Sequence, residues 1–509
     1  MVIVACAFVI RAPGRHELLE GSEVDYTLAA RRGFLVNYVD RDTRPVGEYL
    51  SAAIRLVGPG AGAAEDTRTP DLWQRDVAAG DIAAYRHYHP PLLMYLLAAA
   101  ERLSGQGEAT LRLVPLLLSV ATVAIIYMGC VVVLPVGGHR VGLVAAAILS
   151  LLAIHVQTST DIGWHNPYAA LATTALFSMG VLLVRPSRPA LVAATVLATL
   201  AFALLEHAIF LYVTLIIVVF IVARRPPDGS PPPLPRRAAL AIVLLVSIAT
   251  LVAVWPASIL KLSVVKNLGV NAYYSRALVL SPRFHDVYVT LLERYPVMSG
   301  LAVATAAALA SRQVRLPAGL VPFAVYAAAM VILQLGNQNL KPLYYVSLQP
   351  VLAVLSASCL VAVLDRRDAR GRWLAVVIVA LTLAVGATAW RASLQPRVQS
   401  PFERFVHALE AHAGIVGERV LTLPPGSHVA QALGFYVPDT RFVRVVDEAS
   451  NRRRAADAVR RGAFRFVIVG GSLERVRENF GVLDTYERVT QITDTAGQTR
   501  FQLLRRPYD

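Results

Sequence analysis

The chain reads as a mainly α polytopic membrane protein of about eleven transmembrane helices, followed by a small α/β extracytoplasmic domain, on three observations. It is 56% hydrophobic and only 16% charged, with a mean hydropathy of +0.53, where soluble chains carry roughly 25% charged residues. Apolar runs close to the ~20 residues needed to cross a bilayer recur from residue 112 to residue 390. Beyond about residue 400 the texture changes to short alternating segments that look like strands and helices of a water-exposed fold.

The first run, residues 1–10, is about half the length of a span. No small-residue cleavage site follows it, so a signal peptide is not expected; either the first helix is short or it starts before Met1, and the second reading is preferred. A polar segment, 11–91, comes next. The later runs lie at 112–134, 140–157, 167–184, 189–205, 207–223, 238–258, 297–311, 318–335, 343–364 and 373–390. Alternate connections hold Arg140; Arg185 and Arg188; Arg224, Arg225, Arg236 and Arg237; Arg312 and Arg315; Arg366, Arg367, Arg370 and Arg372. By the excess of basic residues on the cytoplasmic side, these face inward. Residues 11–91, 158–166, 206–207, 259–296, 336–342 and the whole chain after 391 then face outward. The layout is a transmembrane domain over 1–391 with an extracytoplasmic loop at 11–91, and a soluble domain over 392–509. The Pro-rich stretch 226–235 divides the spans into two groups.

In the soluble part, strands are expected at Arg419–Leu423, Arg441–Val446, Phe464–Val469, 483–490 and 498–504. Helices are expected to start at Ser427 and Asp447, the latter ending at Gly462, with another after Ser472; Ser and Asp are good N-caps and Gly a good terminator. No GxGxxG or phosphate-binding loop occurs there, so the domain is assigned a capping or partner-binding role. The net charge of +15 is mostly arginine and follows from membrane topology, so it does not indicate nucleic-acid binding. Cys6, Cys130 and Cys359 each stand alone in an apolar run, with neither disulfide nor metal spacing.

Chemistry is expected on the outer side. Ser22-Glu23-Val24-Asp25-Tyr26 has the form of a capping box for a helix ending near Gly33. It also offers two carboxylates just outside the membrane, and either can act as a general base. Glu23 and Asp25 point roughly 200° apart on a helix, so one of them faces a substrate. Tyr88-His89-Pro90-Pro91-Leu92 starts a helix through its prolines and carries His89, with Arg86 nearby, at head-group level where a donor side chain can hold a phosphate. Asp161 and His165 lie four apart and share a face if that turn is helical. Glu206-His207 breaks two apolar runs, either as a tight turn or as a cavity lining. Lys341, ahead of Tyr344 and Tyr345, is a point charge for a phosphate or a snorkelling interface residue; the tyrosines also fit an aromatic belt.

The order of these segments across residues 1–391 resembles the C superfamily of glycosyltransferases (GT-C), which use polyprenyl-phosphate sugars and include protein O-mannosyltransferases and lipid A aminoarabinose transferases. Glu23 and Tyr26 match that family's Asp-Glu-x-x-Tyr loop motif, with Ser22 where the first acid stands. His89 before Pro90-Pro91 matches its second motif, and Tyr344-Tyr345 followed by Leu348-Gln349-Pro350 its late one.

The resemblance implies a GT-C fold in the plasma membrane. It implies transfer, with inversion, of one sugar from a polyprenyl-phosphate donor to a protein, lipid or glycan acceptor on the extracytoplasmic side. Glu23 or Asp25 would be the base; His89, Arg86 and Lys341 would bind the lipid phosphate. Tyr26, Asp161, His165, Glu206, His207, Tyr344 and Tyr345 would line the sugar and acceptor pocket. No cofactor is required; a divalent metal is compatible, and the sequence has no clear ligand set for one. The rival readings are a transporter or flippase of lipid-linked sugar, for which no internal repeat is visible, and an inactive homologue that binds a lipid-linked glycan, which the serine at position 22 favours.

Overall fold

A computed structural model describes residues 1–12, 18–19, 22–31, 90–105, 107–224, 234–260, 262, 264, 286–310, 314–333, 342–365, scattered positions from 373 to 387, 399–423, 429–444, 449–471, 476, 483–494 and 496–507. By contacts the chain forms two units, one of residues 1–15 and 29–395 and one of residues 16–28 and 396–509.

The first unit is helical: α1 (Val2–Arg11), the end of α2 (Ser22–Arg31), α3 (Leu92–Ser104), α4 (Glu108–Val133), α5 (Gly138–Leu151), α6 (Ala153–Gln157), α7 (His165–Val184), α8 (Arg188–Phe202), α9 (Ile209–Val222), α10 (Arg236–Val254), α11 (Asp286–Arg294), α12 (Pro296–Ala310), α13 (Val321–Leu333) and α14 (Leu348–Leu364). Helices α4, α7 and α10 are long and apolar enough to cross a membrane; seven more apolar helices, counting the turn before α9 and that before α13, run 10–17 residues. Helix-starting signals explain several ends. Pro91 precedes α3, and the Ser187 hydroxyl accepts from Ala190 N at the start of α8, followed by Pro189 at the second position.

Helix α7 packs along α4 and α8, and α5 packs against α4 and α14. Small residues allow this. A Cβ at Gly180 would lie 2.3 Å from the Gly319 carbonyl oxygen, and one at Gly319 would lie 2.6 Å from that of Val133. Backbones of α7, α4 and the 318–320 turn therefore meet directly, the device by which helices associate without a hydrophobic driving force. Hydroxyls inside these helices are satisfied locally: Thr122, Thr173, Thr195, Thr214 and Thr305 each donate to the carbonyl four residues back. Helix α10 is apolar all round and buries only Ala239 and Val243, as a helix facing lipid does.

Arg11 is the last residue of α1. It is buried, donating Nε–H to Ser119 Oγ (3.0 Å), Nη1–H to the Ala7 and Ser150 carbonyls (3.1 Å each) and Nη2–H to the Leu149 carbonyl (3.1 Å). Its Nη2 also donates to His155 Nδ1 at 3.1 Å, which leaves the proton of a neutral His155 ring on Nε2. The last carbonyls of α5, which have no partner within their own helix, are thus capped by a cation from α1.

The second unit contains a five-stranded sheet of order β2-β1-β3-β5-β4, built from β1 (Arg419–Leu423), β2 (Arg441–Arg444), β3 (Phe466–Gly470), β4 (Glu487–Thr493) and β5 (Thr499–Arg505). The first three are parallel and the last two join antiparallel. Helix α15 (Pro401–Glu410), capped by Ser400 Oγ on Glu403 N, stacks Phe405 on Phe501 with centroids 5.1 Å apart. Between β1 and β2 runs α16 (Ala430–Tyr436). Helix α17 (Ala449–Arg460) covers the other face with Ala455, Ala456 and Val459 over Leu421, Val467 and Leu504. β4 begins at Glu487, later than the sequence suggests, because Leu483 and Tyr486 are buried in that core.

Candidate active site

The segment 158–166 is shaped from within the first unit. Buried Arg112 of α4 donates to the Thr160 carbonyl at 2.8 Å, and Asn166 Nδ2 donates to the Thr158 carbonyl and hydroxyl at 2.6 and 3.0 Å. Residues 161–164 form bends and α7 starts at His165. Asp161 and His165 are therefore not on one helical face: Asp161 is exposed and His165 half-buried.

His165 meets the 3₁₀ turn Pro342–Tyr345 through Tyr344, ring centroids 5.6 Å apart at 62°. On its other side Tyr344 meets His207, at 5.4 Å and 69°. Trp164 continues the row beside His165 at 5.9 Å, and Phe210 beside His207 at 6.3 Å. Edge-to-face contacts of this kind orient rings rather than merely bury them. Three segments far apart in the chain thus form one aromatic wall. Glu206, 8% exposed, adjoins His207 and acts electrostatically on Tyr168.

Behind the wall runs a buried hydroxyl chain. Tyr168 and Tyr326 share a hydrogen bond of 3.0 Å, and Tyr326 donates to Ser347 Oγ at 3.0 Å. It ties α7 and α13 to the residues that follow Tyr345. The helix after Pro90-Pro91 also begins here, since Leu92 N–H donates to the Ala203 carbonyl at 3.0 Å, close to Glu206 in sequence. Tyr345 points its hydroxyl to that of Tyr288 (3.4 Å) at an apolar cavity of about 500 Å³ between α11, α12, α13 and α14.

Of the residues singled out from the sequence, Asp161, His165, Glu206, His207, Tyr344 and Tyr345 belong to this unit. Helix α2 forms over Ser22–Arg31, with Ser22 as its first helical residue, and Glu23, half-buried, accepts at its backbone oxygen from Thr27 Oγ1 (2.9 Å). Glu23 and buried Tyr26 belong to the second unit. At the far end of the same helix Arg31 pairs with buried Glu101 of α3, Nη2 to Oε1 2.8 Å. Arg86, His89 and Lys341 lie outside the described residues, as do the side chains of Ser22 and Asp25. Among the described residues no group of three or more His, Cys, Asp or Glu side chains is arranged to hold a metal.

Sequence reasoning missed Tyr168, Tyr326 and His155. Each lies inside an apolar run without local patterning, so no signal marked it. Trp164, between Asp161 and His165, carried no assigned role.

The family model of dolichyl-phosphate-mannose-protein mannosyltransferases matches residues 88–255, which span α3 to the end of α10. No curated protein sequence matches the chain significantly. Among solved structures, ArnT from Cupriavidus metallidurans bound to undecaprenyl phosphate matches with a TM-score of 0.57 at 15% identity, over 91% of this chain and 98% of that one. The same protein in its apo state matches with a TM-score of 0.57 at 14% identity, over 99% and 97%. The Archaeoglobus fulgidus oligosaccharyltransferase complexed with zinc and sulfate aligns over 81% of this chain and 64% of that one, at 12% identity and a TM-score of 0.46. The chain has a GT-C fold and resembles the polyprenyl-phosphate-sugar glycosyltransferases of that superfamily.

Proposed function

We propose that this GT-C-type membrane glycosyltransferase moves one sugar from a polyprenyl-phosphate donor to a hydroxyl or amine acceptor at the outer membrane face. The observation that supports this most is the row Trp164–His165–Tyr344–His207 with Glu206 beside it. A rigid aromatic wall next to carboxylates fits a sugar ring: the apolar C–H face lies on the rings and the hydroxyls donate to Glu206 and Asp161. The nearby apolar cavity fits the chain of a lipid carrier, and the similar ArnT structure is one bound to undecaprenyl phosphate.

In the reaction, Glu23 or Asp25 takes the proton of the acceptor, whose oxygen or nitrogen attacks the anomeric carbon opposite the phosphate. The bond from that carbon to phosphate oxygen breaks, the configuration inverts, and polyprenyl phosphate leaves. The leaving monoester needs charge neutralisation rather than a proton, which Arg86, His89 and Lys341 supply.

The test is transfer by purified protein from a panel of polyprenyl-phosphate sugars, with the product anomer read by NMR. Inverted product supports the scheme. Retained configuration sinks the single-displacement step. Lipid binding without transfer from any donor leaves the binding homologue, with Ser22 in the acid position, as the reading.

A further inference from the structure

The cavity between α11, α12, α13 and α14 is apolar along most of its length, lined by Leu291, Met298, Val331, Leu352 and Leu355 among others. Its polar side chains fall into two kinds. Ser299 and Thr305 line it but have committed their hydroxyls, Ser299 to the Leu291 carbonyl (3.1 Å) and Thr305 to the Leu301 carbonyl (2.8 Å). Gln349 has not. It is 2% exposed, it lines the cavity, and its Oε1 has no hydrogen-bond partner among the described residues. Tyr288 and Tyr345, bonded to each other, are the other polar groups at this place.

These groups sit at one end. Gln349 is in the first turn of α14, directly after the turn that carries Tyr344 and Tyr345, whereas Leu352 and Leu355 lie one and two turns further along. The cavity is therefore amphiphilic, with neutral hydrogen-bonding groups at one end and hydrocarbon beyond. A buried amide left unpaired is a standing cost to the fold, and hydrocarbon alone cannot relieve it. An amide carries two N–H donors and one acceptor oxygen, and a half-turn of its end group exchanges them.

We propose that Gln349 is a binding residue for the phosphate head of the lipid carrier, donating an amide N–H to a phosphate oxygen while the first isoprene units fill the cavity beyond it. This rests on the donor class assigned above and adds a neutral contact to the cationic ones. A neutral donor holds the phosphate in both its diester and monoester forms, so Gln349 fixes where the carrier sits before and after transfer. The free alcohol of the same lipid offers one neutral hydroxyl oxygen in place of charged phosphate oxygens and draws less from this contact.

The experiment measures binding of undecaprenyl phosphate and of undecaprenol to the full chain in nanodiscs, for wild type, Gln349→Leu and Gln349→Glu, with thermal unfolding of each ligand-free protein. Losing a hydrogen bond to a charged group corresponds to about tenfold in affinity or more. Gln349→Leu should bind the phosphate about tenfold more weakly and the alcohol with a smaller loss. It should unfold at the same temperature as wild type or higher, because an unpaired buried amide is gone. Gln349→Glu should bind the phosphate more weakly still, by like-charge repulsion.

Undiminished phosphate binding by Gln349→Leu overturns the assignment. So does wild-type phosphate binding by Gln349→Glu, which would mean that the group met there is a hydroxyl, as on an acceptor lipid. Sugar transfer by wild type separates the two levels. Transfer with unchanged binding in Gln349→Leu removes this site and keeps the glycosyltransferase. Weakened binding in Gln349→Leu without any transfer by wild type keeps the site and removes the glycosyltransferase.

Discussion

The rings of His207 and Tyr344 meet edge to face, 5.4 Å apart at 69°, although 136 residues separate them by number. Tyr344 holds the same relation to His165, so one side chain locks two distant segments together. Aromatic pairs contribute about 0.5–1.5 kcal/mol each beyond burial. Tyr344→Ala should lower sugar transfer by about tenfold or more, through loss of two such pairs. Tyr344→Phe keeps both ring contacts and should retain most activity. Steady-state transfer kinetics of the two variants check this; equal activity of the alanine variant and wild type would remove the wall from the site.

The hydroxyl chain Tyr168–Tyr326–Ser347 holds that turn from behind. Tyr326→Phe leaves the Tyr168 and Ser347 hydroxyls short of a buried partner, at a cost of about 1–3 kcal/mol. The expected result is a lower unfolding temperature in detergent together with a raised KM for donor, since the turn carrying Tyr344 loosens. An unchanged unfolding temperature would contradict it.

Arg11 joins α1 to α4, α5 and α6 through five hydrogen bonds. Arg11→Met would leave the Ser150 carbonyl without its donor and the Leu149 carbonyl and His155 Nδ1 with only their weaker contacts to Leu152 N and Ser119 Oγ, and a destabilisation on the order of 3 kcal/mol is expected. Arg11→Lys should recover only part of it, because an ammonium cannot reproduce the planar five-donor fork. Thermal unfolding of the three proteins ranks them.

The turn between β4 and β5 is held by Asp494, whose Oδ1 accepts from Gln498 N and Ala496 N and whose Oδ2 accepts from Arg500 Nε, all at 2.9 Å. The Gln498 backbone bond, followed by the Arg500 and Ala496 bonds, holds this carboxyl below the usual carboxylate range. A carboxyl with a depressed folded pKa contributes stability above its unfolded pKa, and that stability is lost as pH falls through the folded value. Protection of the Ala496 and Gln498 amides from hydrogen exchange should therefore be present at neutral pH and fade at acid pH. In Asp494→Asn it should be weak at neutral pH already. Protection that persists in acid would contradict this.

Parts of this structure could be read from local pattern. Strand β1 runs Arg419–Leu423 as expected, and a helix forms over Ser22–Arg31 where one was expected, because alternation and helix-starting residues are short-range signals. Asp161, His165, Glu206, His207 and Tyr344 stood out as polar or aromatic breaks at the ends of apolar runs. That Tyr344 bridges the two histidines did not follow, since tertiary packing brings the three together. His155, Tyr168 and Tyr326 were hidden for a different reason: inside a bundle a polar group is satisfied by its neighbours in space, and its neighbours in sequence remain apolar. Arg11 illustrates the same effect, its guanidinium buried among partners from three other helices that no local pattern announces.

The central claim is tested most directly by transfer of labelled sugar from polyprenyl-phosphate donors in membranes containing wild type, Glu23→Gln or Asp25→Asn. The account predicts transfer by wild type and its loss in one of the two variants, by on the order of 10²-fold or more as for removal of a general base, while both remain folded. Wild-type rates in both variants would contradict the loop carboxylate as base. No transfer by wild type from any donor would contradict the glycosyltransferase itself.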